Sequence, residues 1–437
     1  MFFFSFSWRR LAAALAAFMA LLAPLSAALA QNPQQLVKPP QAQAWIDIAT
    51  FSGMGMPPMG AGSPSMGAAL GTLFGGAAKS GNSFGQTQSG GGGRWVDVTL
   101  YSRSNPQLAE AQQAVPGGFL PAPLKLQAPR HVPTLAEAPE ERDSEPPPYE
   151  RPKGRLLMYW GCDKNIRPGQ PRVLDMASAT PAELAKFFVA RRATQRGAHS
   201  AAGRPVWPSR DDTRMLPAQA SLVGEHGFSG SGIPEGFRFQ IPAAQDLMPA
   251  LALQQRRIDG GATELSWNAI PSARAYFAAA MGAGASEGDM VIWTSSELPD
   301  NGFGLVDYQT NAAVDRWLKE QVLLAPSTTQ CTVPKGVFKG EGAMLRMIAH
   351  GSELNLVHPP RPADPKQPWE QVWAAKLRVK SVATALLDMD QGLAAGGAMP
   401  RAAEDAGAAE ASAQPAAAEK DDKKIKPLEL LRGLLGR

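Results

Sequence analysis

"TELSWNAIPSARAYFAAAMGA", residues 263–283, is the stretch whose reading decides the fold. Beyond Pro271 it is rich in alanine, the best helix former. Its spacing also suits extended chain. Leu265 and Trp267 alternate before a Pro271-Ser272 turn; Ala273, Ala275, Phe277, Ala279 and Met281 then fall on one face of a strand, with Tyr276 on the other. A helix from Pro271 to Met281 is the competing reading. The flanking sequence favours strands: "GDMVIWTSSELPD", "CTVPKGVF", "AMLRMIAHGSELNLV" and "AAKLRVKSVATALL" are short apolar or alternating runs bounded by Gly, Pro, Asp or Ser. That is the rhythm of a sandwich. The expected class is mainly β with some helix.

Working outward, "SLVGEHGFSGSGIPEGFRFQIP" (221–242) and "LALQQRRIDGGATELSWNAI" (251–270) each read as two strands around a turn, the second turning at Asp259-Gly260. "AWIDIATF" (44–51) and "RWVDVTLY" (94–101) share one pattern, which puts Trp45 and Trp95, and Asp47 and Asp97, in equivalent places. "GRLLMYWGC" (154–162) reads as a buried strand. Two helices are expected. One spans 180–193, capped by Thr180 with Pro181 in the first turn and Glu183 completing a capping box. The other spans 310–326, capped by Asn311 and stopped before Pro326.

"LSWNAIPSARAY", with Trp267 as a core tryptophan and Tyr276 as a third-strand aromatic, together with "TTQCTVPKGVF" and "MLRMIAHG", resembles a fibronectin type III module. The likeness covers residues 248–390 and implies an immunoglobulin-like β-sandwich, a class that commonly positions partners. The helix at 310–326 departs from the pattern. An irregular N-terminal domain, α+β or mainly β, is expected from 31–51, 94–104 and 154–247. The Gly-, Met- and Ser-rich stretch 52–93 reads as a flexible loop and 115–153 as a proline-rich acidic linker. Residues 391–424 read as an alanine-rich disordered linker, and 425–437 as a short amphipathic helix offering Leu428, Leu431 and Leu435 to a partner.

Residues 1–30, "MFFFSFSWRRLAAALAAFMALLAPLSAALA", have the charged start, apolar run and Ala-Leu-Ala exit of a secretory signal cleaved after Ala30. An uncleaved anchor is the alternative. A periplasmic or extracellular product is expected, with no transmembrane segment after cleavage. Removing Arg9 and Arg10 leaves 41 basic and 39 acidic side chains, so the formal charge falls from +4 to +2. That balance does not point to a nucleic-acid partner.

Candidate chemistry is sparse. The five histidines are scattered without metal spacing, so no metal or other cofactor is expected. "GFSGSG" (227–232) does not match the nucleophile elbow. His226 beside Glu225 and this tip is the basis for an alternative reading as an envelope hydrolase acting on cell-wall glycan or peptide. Ser295, Ser296 and Glu297 read as turn residues. Trp369 and Trp373, spaced i, i+4 after a proline-rich run, are the candidates for stacking on a ligand. Cys162 and Cys331 are the only cysteines; an oxidising compartment permits a bridge, while both flanks also suit free buried thiols. No catalytic residue is assigned. The functional expectation is a secreted envelope protein with a non-catalytic binding or scaffolding role, its partner an envelope protein or cell-wall glycan.

Overall fold

The alternating runs form strands throughout a computed structural model that describes residues 35–53, 82–89, 91–129, 154–193, 197–258, 260–339 and 342–387. The N-terminal half holds β1 (Val37–Lys38), β2 (Ala42–Gly53), α1 (Gln86–Ser89), β3 (Gly93–Ser102), β4 (Glu110–Ala114) and β5 (Leu124–Gln127). Next come β6 (Arg155–Trp160), β7 (Arg172–Asp175), α2 (Pro181–Phe187), β8 (Val206–Trp207), β9 (Gly224–Ser229) and β10 (Arg238–Ile241). After these follow β11 (Leu253–Ile258), β12 (Ala262–Trp267), β13 (Ala275–Ala283), β14 (Met290–Thr294) and α3 (Asn311–Lys319). The last are β15 (Gln330–Val333), β16 (Ala343–His358), β17 (Trp369–Glu370) and β18 (Trp373–Leu387). The protein is mainly β, and among the described residues no helix is long and apolar enough to cross a membrane.

Residues 263–283 are strand. β12 and β13 occupy most of the stretch, separated by the turn that carries Pro271 and Ser272. The alanines of β13 are explained by burial on both faces. Tyr276, Ala278 and Ala280 join the large core cluster, whereas Ala275 and Phe277 pack with Val314 and Trp317 of α3. A strand covered on both sides loses the polar half of its alternation, and this is why helix and strand competed in the sequence.

Among the described residues thirteen strands form one sheet in the order β10-β9-β4-β5-β8-β3-β2-β18-β16-β13-β14-β6-β7. Two of its joins are parallel: β18 with β2, and β14 with β6. The sheet therefore runs from residues 248–390 into the N-terminal strands on both sides, without a gap at residue 248. A second sheet, β11-β12-β15, is antiparallel, and β1 pairs with β17. Trp267 of β12 meets Tyr276 of β13 at 5.5 Å between ring centroids, in the core between the two sheets. Cys162, just past β6, and Cys331 of β15 are joined by a disulfide that ties the small sheet to the long one.

Several local expectations change. The capping box of α2 is present, with the Thr180 hydroxyl accepting from the Glu183 amide and the Glu183 carboxylate accepting from the Thr180 amide. The helix nevertheless ends at Phe187 rather than 193. Beyond it the chain is held against a loop: Arg191 bonds Asp300 at 2.9 Å, and a Cβ on Gly304 would fall 2.1 Å from the Arg191 carbonyl oxygen. The cap of α3 is Thr310, not Asn311, because both ends of the Asn311 amide are taken by the Glu353 backbone. Part of the linker expected at 115–153 is ordered, since it contains β5 and the buried Phe119 and Leu120. Likewise, residues 82–89 of the expected flexible loop are anchored, with Asp97 accepting from the Gly85 and Thr87 amides. The signal, residues 54–81, Asp259, the acidic part of the linker, and the tail with Leu428, Leu431 and Leu435 lie outside the described residues.

Candidate ligand recess and the charged sheet face

The sites marked in sequence are separate and largely occupied by structural contacts. Trp369 lies in β17 and donates its indole N–H to the Pro359 carbonyl, with Arg361 over its ring. Trp373 begins β18, is only 7% exposed, and stacks against Phe237 at 4.8 Å and His358 at 5.4 Å. An i, i+4 spacing brings side chains together only on a helix. The expected double platform is therefore not formed. His226 is fully buried, one ring nitrogen engaged with the Leu222 carbonyl and the other with Gln113. Ser295 and Ser296 accept hydrogen bonds from the backbone N–H groups of Ala278 and Leu298. Among the described residues no group of three or more His, Cys, Asp or Glu side chains is placed to hold a metal.

Another arrangement stands out on the sheet face that packs against α3. Register places Asp97, Asp47 and Arg378 side by side on β3, β2 and β18, and Lys380 beside His350 of β16. The equivalence of Asp47 and Asp97 suggested by sequence is thus a direct cross-strand pairing. Asp47 is 1% exposed and takes two bonds from Arg378, at 2.7 and 2.5 Å, and one from the Ala198 amide. Burial opposes the charge on Arg378, but the Asp47 carboxylate outweighs it and raises the guanidinium pKa. Close approach is built in here: a Cβ on Gly197 would fall 1.7 Å from the guanidinium. Asp97 has no such partner among the described residues, and burial lifts its pKa to about 6 against the pull of the Thr87 and Gly85 hydrogen bonds.

Tyr308 lies over this row. Its hydroxyl donates to the Ile48 carbonyl, and Arg378 and Lys380 sit 4.3 and 4.1 Å from its ring centroid. Lys380 bonds Asp307 at 2.9 Å. Burial would raise the Asp307 pKa, yet the ammonium and the Tyr308 amide together hold it at about 2. His350 is different: it is 2% exposed, neither ring nitrogen has a hydrogen-bond partner among the described residues, and burial lowers its pKa to about 4.

Two alternations further along the same face, Arg346 of β16 lies between Ala279 of β13 and Thr384 of β18. Here the sheet and the loop before α3 enclose a recess lined by Ala279, Ile292, Asn301, Phe303, Val306 and Arg346, among others. The loop is fixed from several sides. Asp300 accepts from the Gly302 amide, Asn301 Oδ1 from the Phe303 amide, and Gln309 donates to the Gly304 carbonyl. Gly302, at φ 76°, lies so close to the sheet that a Cβ would sit 3.1 Å from that of Ala279. Two donors in this recess remain unspent. Asn301 is 1% exposed, and among the described residues neither its Nδ2 nor the buried Nε of the half-buried Arg346 has a hydrogen-bond partner. Burial lowers the Arg346 pKa against the influence of Asp307, which is already bonded to Lys380.

Sequence reasoning passed over this place. The available signal was a lone arginine with apolar neighbours on both sides in "AMLRMIAHG", which in a strand covered on both faces sets a cation beside apolar surface. Chemically, the recess can hold and orient a small ligand; it brings no nucleophile and base together. The chain matches no protein-family model, no curated protein and no solved structure.

Proposed function

We propose that this chain is an exported envelope protein with a non-catalytic binding role, its ligand taken up in the recess under the 300–306 loop. The observation that carries the reading is the pair of buried donors, Arg346 Nε and Asn301 Nδ2, without partners among the described residues, on a recess that is mainly apolar, because such groups are costly unless a ligand completes them. Export is supported by the signal-like residues 1–30 and by a disulfide of the kind that oxidising compartments maintain.

Residues 248–390 are read as a fibronectin type III-like module built into the longer sheet. Their strands, taken in chain order, put the first, second and fifth in one sheet. The fourth, third and sixth lie beside β18 in the other, as sandwich modules of this class arrange them. The hydrolase alternative would use His226 as a base, and its ring nitrogens are already engaged. The test is hydrogen exchange of segment 300–306 in the full chain against a panel of small anions, cations and neutral amphiphiles. At least one should slow exchange there and not in a variant carrying Arg346→Met; a panel without such a compound removes the reading.

A further inference from the structure

We infer that the ligand of the recess is a small carboxylate with an apolar body. The inference rests on reading the recess as a binding site and adds the class of molecule it takes.

The charge comes first. Arg346 has no ion pair or hydrogen bond among the described residues, and its Nε is shielded from solvent. The side chain as a whole is half-buried, and a guanidinium without a counter-ion beside apolar surface is stabilised most by an anion that accepts its hydrogen bonds. Asn301 adds a second donor, since its Oδ1 is occupied by the Phe303 amide and only Nδ2 remains. One guanidinium and one amide N–H match the two oxygens of a carboxylate. A phosphate dianion would leave half its charge uncompensated. A cation would meet Arg346 directly.

The rest of the lining sets the body. Ala279, Met281, Ile292, Phe303, Val306 and Met344 present hydrocarbon, thioether and ring surface, and among the described residues Thr384 is the only further polar side chain. A polyhydroxylated ligand would therefore lose most of its hydration without replacement, whereas a short alkyl or aryl chain gains by burial. Donors at one wall and apolar side chains around them are the usual composition of a small-molecule site.

The test is isothermal titration of the full chain with hexanoate, hexan-1-ol and hexylamine at one ionic strength, on the wild type and on the Arg346→Met and Asn301→Asp variants. Hexanoate should bind at least tenfold more tightly than the alcohol, and hexylamine should not bind. Arg346→Met should weaken hexanoate at least tenfold while melting no lower than the wild type, because it removes a cation that has no partner among the described residues. Asn301→Asp, which adds a negative charge to the recess, should weaken hexanoate as well and serves if the first variant folds poorly. Equal binding of hexanol and hexanoate, with slowed exchange at 300–306, would overturn the carboxylate and leave the binding site standing. Hexanoate affinity unchanged in both variants would place its site elsewhere and overturn the inference. If no probe binds or alters exchange at 300–306, both the inference and the reading beneath it fall.

Discussion

Replacing His350 by leucine gives a test in which the sign and the size of the effect both follow from burial. His350 sits on β16 opposite Lys380, close enough to Asp307 for that charge to favour its protonation, and burial nonetheless holds its pKa near 4. In the unfolded chain a histidine titrates near ~6.5. Between those values the unfolded state binds the extra proton and the folded state does not, so stability falls as the pH drops. Each pH unit in the window costs about 1.4 kcal/mol, about 3 kcal/mol over its whole width. Above the window the group is neutral in both states and contributes no slope. Other groups titrate in the same range. Asp97, raised to about 6, works in the opposite direction: below that value its folded form is protonated, and the cost of burying its charge is relieved. Comparing wild type with His350→Leu cancels such contributions. Urea unfolding of both from pH 8 to pH 5 should show a free-energy gap that is constant down to about 6.5 and then grows in favour of the variant, by about 2 kcal/mol at pH 5. A gap that stays constant to pH 5 would mean that His350 is hydrated or partnered in the folded protein, and the reasoning from its burial would be wrong.

The Asp47–Arg378 pair should show strong coupling. Asp47→Leu alone is expected to cost about 3 to 5 kcal/mol, whereas Asp47→Leu with Arg378→Met costs much less than the two single changes added together; additive urea midpoints would argue against a tight pair. Reducing the disulfide reopens a loop with a sequence separation of 169 residues. The expected loss on reduction is up to ~5 kcal/mol by the chain-entropy rule, measured as the urea midpoint with and without reductant, and an unchanged midpoint would contradict the bond or its weight. Excised residues 248–390 lack the strands that cover β14 and β18 as well as Cys162. That piece should melt below the full chain and self-associate through its open edges; light scattering that finds a monomer with the full chain's melting temperature would show a self-sufficient module.

What could be read from sequence was the part determined locally. Alternation and punctuation identified β12, β13, β14 and β16, and Thr180, Pro181 and Glu183 announced α2, because those signals act within one turn or one strand. Helix ends were less legible. Phe187 and Thr310 became boundaries through contacts with Asp300, Gly304 and Glu353, which are remote in the chain. The linker reading of 115–153 weighed proline content above the apolar Phe119, Leu120, Leu124 and Leu126, all of which find a core. The recess was out of reach for a similar reason. Arg346 looks unremarkable until the loop carrying Asn301 closes over the same strand face, and a one-dimensional pattern does not encode which loop covers which strand.

The parallel join of β2 to β18 also bears on how the molecule comes into being. Arg378 and Asp47, which meet across it, are 331 positions apart. At ~5 to 20 residues per second, synthesis would bring the second strand out about 20 to 60 s after the first. Over that interval β2 can form its hairpin-like pairing with β3, but its other side offers a row of unsatisfied amides and carbonyls to any passing strand. Topologies closed by such remote pairings mature slowly, since the entropy of bringing the ends together is lost before the contacts form. A β18 from a neighbouring copy fits that edge as well as the chain's own. Crowded nascent chains therefore face a choice between closing on themselves and exchanging their last strands, a choice governed by concentration and by how long β2 is kept out of reach.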